Sequence, residues 1–202
     1  GYCGRIIDLN NAALYDISGS RLMGRHNAID ANAAGQISRL LCVSDSEIES
    51  GIASFTPLPH RLEYVGTFSG IKFYNDSIAT IPEAVIAAIE TVKDVDTIIL
   101  GGYDRGIGYN KLCRFLSKSK ISNILLLGGA GDRIGSIIKE RYSDISGRVV
   151  YVKNMHEAVE EAFRCTRTGN SCLLSPAASS YDMFKNFEER GNYYKSLINA
   201  HK

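Results

Sequence analysis

At 202 residues, with 45% hydrophobic and 22% charged side chains, the chain is long enough to bury one or two cores and reads as globular. A formal net charge of +1, with no run of like charge, gives no electrostatic reason to expect a nucleic-acid or acidic-membrane partner. No stretch approaches the ~18 continuous apolar residues of a membrane span, no secretory leader opens the chain, and the five scattered cysteines lack C-x-x-C spacing; the expectation is a soluble chain in a reducing cytoplasmic setting, with neither a disulfide framework nor a zinc site.

The first residues, GYCGRIIDL, lack a methionine and have the look of a fragment. Residues 5–17, RIIDLNNAALYDI, alternate in strand fashion and predict a hairpin turning at Asn10-Asn11. The alanine-rich stretch from Asn27 predicts a helix, and SEIESGIASF a second one with Ser44 or Asp45 as its N-cap. Pro57 and Pro59 in TPLPHR bias their neighbours away from helix and mark a linker, so residues 1–57 and 58–202 are expected to be separate regions.

Beyond the linker, LEYVGTF and IKFYND predict a hairpin closed by Ser69-Gly70, followed by an amphipathic helix, IPEAVIAAIETV, with Pro82 in its first turn. TIILGG, NILLLGG, RVVYV and SCLLSP are short continuous apolar runs of the kind buried on both faces, separated by helical patterns near residues 110–119, 131–141 and 155–167. This βαβ series predicts an α/β fold with a mostly parallel, doubly wound, Rossmann-like sheet, whose ligands bind beyond the carboxyl ends of the strands.

The residues following those runs are small and polar: Asn75, Asp76, Ser77 and Thr80; Gly101 to Arg105; Gly128-Gly129; and the stretch from Ser175 to Ser180. GGYDRGIG offers G-x-x-x-x-G, but Ile107 stands where a phosphate loop needs lysine, so the two glycines are read as a tight turn off a strand. GGAGDRIG lacks the dinucleotide spacing. Arg105 is either a solvated surface residue or a bidentate grip on a carboxylate. Asp76 is a turn residue or an acceptor for a ribose or ammonium, and His60 is an ordinary linker histidine. Cys172, inside an apolar run, is core, and Phe184, Phe187 and Tyr194 are a packing stripe. Ser179 and Ser180 are expected to head a helix whose free N–H groups hold an anion; with Arg105 on a neighbouring strand end, the ligand would be a dicarboxylate such as glutamate.

In this order, GRHNAIDANAA, FTPLPHRLEYV, FYNDSIATIPEA, ILGGYDRG and LLSPAASSYDMFKNFEERG resemble the Mur ligase family, over nearly all of the chain from Gly19 onward. The resemblance implies a three-domain, ADP-forming enzyme of peptidoglycan synthesis, of which residues 1–57 are the end of the central ATP-binding domain and residues 58–202 the C-terminal glutamate- and nucleotide-binding domain. It implies ATP and Mg2+ as cofactors, UDP-N-acetylmuramoyl-L-alanine and D-glutamate as substrates joined through an acyl phosphate, and a cytoplasmic monomer with the TPLPHR linker as hinge. The family's phosphate loop, magnesium ligands and carbamylated lysine fall upstream of Gly1, so no catalytic or metal-binding residue is assigned and the isolated chain is expected to be inactive. Asn27 is implied to contact adenine, Arg61 and Asp76 the rest of the nucleotide, and Thr80, Arg105, Ser180, Tyr181 and Phe187 the glutamate.

Four positions depart from the family pattern. Ile78 and Ile81 replace the lysine and asparagine of N-D-S-K-A-T-N, Arg105 stands where a lysine is familiar, and Asp30 stands where a second asparagine is frequent. An L-glutamate-adding ligase, a folate-type glutamate ligase and a non-catalytic amino-acid or nucleotide-binding module remain open on these residues.

Overall fold

The structure is a computed structural model that describes residues 14–201. The turn expected at Asn10-Asn11 lies outside these residues. The described residues form two compact units that divide between Leu58 and Pro59.

In the first unit, α1 (Gly24–Leu40) starts three residues before Asn27, and α2 (Asp45–Ser54) follows a short turn. Ser44 caps α2 in a capping box: its hydroxyl accepts from the Glu47 N–H, while the Glu47 carboxylate reaches back to the Ser44 N–H. Tyr15 locks the pair together. Its backbone N–H donates to Asn32 Oδ1 at 2.6 Å, its carbonyl accepts from Asn32 Nδ2 at 3.0 Å, and its hydroxyl donates to Asp45 at 3.0 Å.

The second unit holds β1 (Glu63–Phe68), β2 (Ile71–Asn75), α3 (Pro82–Thr91), β3 (Val95–Gly101), α4 (Asn110–Lys118), β4 (Asn123–Leu127), α5 (Gly128–Arg141), a 3-10 turn at Ser143–Arg148, β5 (Val149–Tyr151), α6 (Met155–Cys165), β6 (Ser171–Leu174) and α7 (Phe187–Ala200). The six strands lie in the order β1-β2-β6-β3-β4-β5; only β1 runs antiparallel to its neighbour. Ser69 and Gly70 both take positive φ, 50° and 76°, the backbone that a two-residue hairpin turn requires.

β3, β4 and β6 are buried along almost their whole length, which accounts for their unbroken apolar sequence. One face of the sheet packs Phe73, Ile99, Leu125 and Cys172 against α6 and α7 through Met155, Val159, Tyr194 and Ile198. The alternate residues face the other way, where α5 covers Leu126. The chain therefore runs outward from β2 to β5 and returns through α6 to lay β6 between β2 and β3. Strand order reverses at that insertion, and the crevice beyond the carboxyl ends of β2, β6 and β3 is the topological switch point where such folds bind ligands. No helix among the described residues is long and apolar enough to cross a membrane.

Gly101 shows how tightly the strand ends are drawn together. Its N–H donates to the Pro176 carbonyl at 2.8 Å, and the next amide, from Gly102, donates to the Leu127 carbonyl at 3.0 Å. With φ of 116° and Leu127 backbone where a Cβ would stand, the position admits only glycine. Gly101→Ala is expected to cost about 1–3 kcal/mol from backbone strain alone, and more from the overlap, read as a lower denaturation midpoint in urea at unchanged slope.

Candidate functional site

Backbone hydrogen bonds gather the three strand-end loops. The Asp76 N–H donates to the Leu174 carbonyl at 2.8 Å, Ala177 N–H to the Ala79 carbonyl at 3.0 Å, and Tyr103 N–H to the Ser179 carbonyl at 2.9 Å. The β2, β6 and β3 loops thus form one continuous rim, and Arg105 and Ser180 belong to the same rim.

Arg105 is exposed, and its Nη2 donates to the Thr80 carbonyl at 2.6 Å. The loop that presents it is fixed from below. Arg133 on α5 donates through Nη1 to both Asp104 carboxylate oxygens at 2.7 and 2.8 Å, and through Nη2 to the Ile107 carbonyl, while its guanidinium lies 4.9 Å from the Tyr109 ring centroid. Gly106 N–H donates to Asp104 Oδ1 at 2.9 Å, closing the turn. Burial pushes the Asp104 carboxyl up, but the Gly106 amide and the Arg133 guanidinium together hold it below the usual carboxylate range. One guanidinium, Arg133, thus braces the loop that carries its exposed neighbour, Arg105.

A second network lies deeper. Asn75 Nδ2 donates to His60 Nδ1 at 2.9 Å and to Glu63 Oε2 at 3.0 Å, and Glu63 accepts from Lys195 on α7 at 2.9 Å. Burial, then the Lys195 charge, lowers the His60 pKa. The His60 ring meets Phe187 edge-on at 6.0 Å. Ser77 Oγ donates to the Phe187 carbonyl at 2.8 Å and accepts from Arg190 Nε at 3.0 Å. Arg190 Nη2 donates to the carbonyls of Ser77 at 2.8 Å and Ala178 at 3.1 Å. His60 is thus no loose linker residue; with Asn75 and Ser77 it sets the place of Phe187.

Asp76 sits between these layers at 4% exposure. Its Oδ1 accepts from Leu62 N–H at 3.2 Å and its Oδ2 from the Ser175 hydroxyl at 2.7 Å. Burial dominates and pushes its carboxyl up to about 6, against the pull of Ser175, the Leu62 amide and the Arg61 charge. Cys172 is fully buried, its thiol pushed up to about 12, as an inert core residue should be.

Of the residues singled out from sequence, Asp76, Thr80, Arg105, Ser180 and Phe187 share the rim, with Arg61 beside Asp76 and Tyr181 projecting from it at 70% exposure. Asn27 lies in the other unit, on α1, buried with its Nδ2 donating to the Met23 carbonyl at 2.8 Å. One expectation is corrected. Ser179 and Ser180 do not head a helix, because Met183 and Phe184 N–H groups turn back onto the Ser180 carbonyl and α7 starts only at Phe187. Its cap is Asn186, which accepts from Glu189 N–H at 2.8 Å, while Glu189 accepts from Lys185 N–H at 2.6 Å. The N-x-x-E spacing of Asn186 to Glu189 is the sequence signal for that boundary. Arg190 and Arg133 were not among the sequence candidates, and only the folded loops reveal what they and Ser77 hold.

Asp76 supplies a pH test. A carboxyl that holds its proton more tightly folded than unfolded costs stability as pH rises from 3.8 toward about 6. Across that interval the stability of Asp76→Asn relative to the wild type should rise by about 2–3 kcal/mol, read from urea unfolding at matched pH. A pH-independent difference would mean that Asp76 titrates like an exposed carboxylate.

A family model described as "Mur ligase, glutamate ligase domain" matches residues 60–178. The chain is 34% identical over 189 residues to the "UDP-N-acetylmuramoylalanine--D-glutamate ligase" of Thermoanaerobacter sp. (strain X514), covering 94% of this chain and 41% of that protein. It is 37% identical over 186 residues to the protein of the same name from Aquifex aeolicus (strain VF5), covering 92% and 43%. The chain therefore spans about two fifths of the length of these relatives. In fold it resembles the UDP-N-acetylmuramate-alanine ligase MurC of Thermotoga maritima, with a TM-score of 0.64 at 12% identity over 91% of this chain and 40% of that one. It likewise resembles the folylpolyglutamate synthase of Mycobacterium tuberculosis complexed with ADP, with a TM-score of 0.63 at 14% identity over 88% and 41%. The matched domain and the 34–37% identity over nearly all of its length make this chain a member of the Mur ligase family.

Proposed function

We propose that this chain is the glutamate-receiving part of an ATP-dependent ligase that joins D-glutamate to UDP-N-acetylmuramoyl-L-alanine in peptidoglycan synthesis, working as a cytoplasmic monomer. The observation that carries this reading is the shared rim of Arg105, Thr80 and Ser180 at the switch point, a cation and small polar groups placed for an amino dicarboxylic acid. The name borne by relatives at 34–37% identity supports the same substrate.

A carboxylate does not react with an amine; ATP with Mg2+ supplies the activation, as an acyl phosphate with a good leaving group. The share of the residues described here is placement. Arg105, on a loop braced by Asp104 and Arg133, offers N–H groups to one glutamate carboxylate, and the Ser179-Ser180 loop receives the other. Gripped at both ends, the amino group is held in one orientation toward the acyl carbon, which turns an encounter of two reactants into an alignment. Asp76 fits a nucleotide role: each of its oxygens accepts one protein hydrogen bond, which leaves lone pairs for a ribose hydroxyl, and Arg61 beside it supplies positive charge. Asn27 is the proposed adenine contact. Among the described residues no group of three or more His, Cys, Asp or Glu side chains is placed to hold a metal ion.

The 202 residues contain no Gly-Lys-Ser/Thr phosphate loop, so phosphate release by this chain alone is expected to stay at background. In the full-length enzyme, D-glutamate with the muramoyl acceptor should give the highest kcat/KM among D- and L-glutamate with muramoyl or folate acceptors; preference for L-glutamate or folate would replace this reading. Arg105→Ala should raise the glutamate KM by about tenfold or more, the loss of a charge-assisted hydrogen bond, with the KM for ATP little changed.

A further inference from the structure

Arg190 is the most unusual charged residue of the fold. It springs from the first turn of α7, is 2% exposed, and uses Nε and Nη2 on Ser77 and the Ala178 carbonyl, yet its Nη1 is buried with no hydrogen-bond partner. Burial pulls its pKa down to about 10, which still leaves it charged at neutral pH. Among the described residues no carboxylate pairs with it directly; Asp182 is the anion whose charge reaches it.

The place of Nη1 is well defined. It lies 3.1 Å from where a Cβ would stand on Gly102, beside the Ser179 backbone. Asp182 Oδ2 lies 2.5 Å from the corresponding point on Gly128, whose nearest other neighbours there are the Gly102 carbonyl and Cα at 2.9 and 3.1 Å. Arg190 and Asp182 thus approach one bare glycine patch at the ends of β3 and β4. The Ser179 hydroxyl, on the same loop, is also buried without a partner. A buried cation short of one hydrogen bond and lacking an ion-pair partner is a cost to folding that a bound anion would offset.

Resting on the glutamate reading above, we propose that Arg190 is the positioning residue for the carboxylate that docks at the Ser179-Ser180 loop. Its fork ties that loop to Ser77, and its uncompensated charge, set under Gly102, favours an anionic group at the rim over a neutral one. Asp182 opposes this field and moderates it.

The test uses the full-length ligase, with steady-state kinetics for glutamate and ATP and thermal unfolding of each variant. Arg190→Met should raise the glutamate KM by about tenfold or more while the KM for ATP stays within about twofold, since the tie that places the loop and the charge that favours an anion there are lost for one substrate only. Arg190→Lys, which keeps charge but not the fork, should recover much of that loss. Asp182→Asn should lower the glutamate KM by about two- to fivefold, by removing the opposing charge. The proposal is overturned if Arg190→Met leaves the glutamate KM unchanged, if the lysine variant is no better than the methionine variant, or if Asp182→Asn leaves the KM unchanged or raises it. Should the Arg190 variants fail to fold, the Asp182 variant decides alone. A wild type that is inactive with glutamate removes the underlying functional reading; an active wild type with those variant results removes this inference alone.

Discussion

Beyond the last rung of a β-sheet nothing in the ladder holds the chain, so loops at strand ends need other anchors. Here the chief anchor is the guanidinium of Arg190, which joins the loop after β2 to the loop after β6 through Ser77 and the Ala178 carbonyl. It can reach both because Tyr194 and Ile198 seat α7 in the apolar layer beneath the sheet. Removing such a charge from water is costly unless its protons are all engaged, and one nitrogen is left over. A core designed only for stability would place an apolar side chain there. Its presence fits a fold that gives up stability at the point where it meets a ligand.

Two basic residues at the crevice are held by opposite means. Arg105 stays in solvent, and the geometry of its loop comes from the Asp104–Arg133 pair and the Gly106 turn. Such a partly exposed pair is screened by salt and contributes modestly to stability, but it fixes a direction. Arg190 is fixed from within, by packing and by carbonyls that cannot move without the sheet. An exposed cation and a buried one thus stand at the same crevice.

Much of this was legible in the amino-acid order. The apolar runs TIIL, NILLL and SCLL mark strands that are buried on both faces, and the Ser69-Gly70 turn and the Ser44 cap follow from local chemistry alone. Asp76, Thr80 and Arg105 stand out because polar residues directly after such strands fall at one edge of a parallel sheet. Two serines at 179 and 180 look like a cap in sequence, but the Asn186 and Glu189 pair acts later and sets the start of α7. Arg190 was hidden for a different reason. In sequence it is one more charge in a helix studded with glutamate and lysine, and only long-range contact with Ser77, 113 positions away, sets it apart.

The insertion of β6 between β2 and β3 carries a consequence for assembly of the molecule. The strand nearest the centre of the sheet is also the last of the six described strands in chain order, so before it arrives β2 and β3 have no neighbour to join them and the sheet is left as two separate halves. On a ribosome, those halves must wait, with their inner edges bare, until residues 171–174 have emerged. Order in the switch-point crevice can then appear only after β6 has joined the sheet, which makes that strand the gatekeeper of a cooperative folding step.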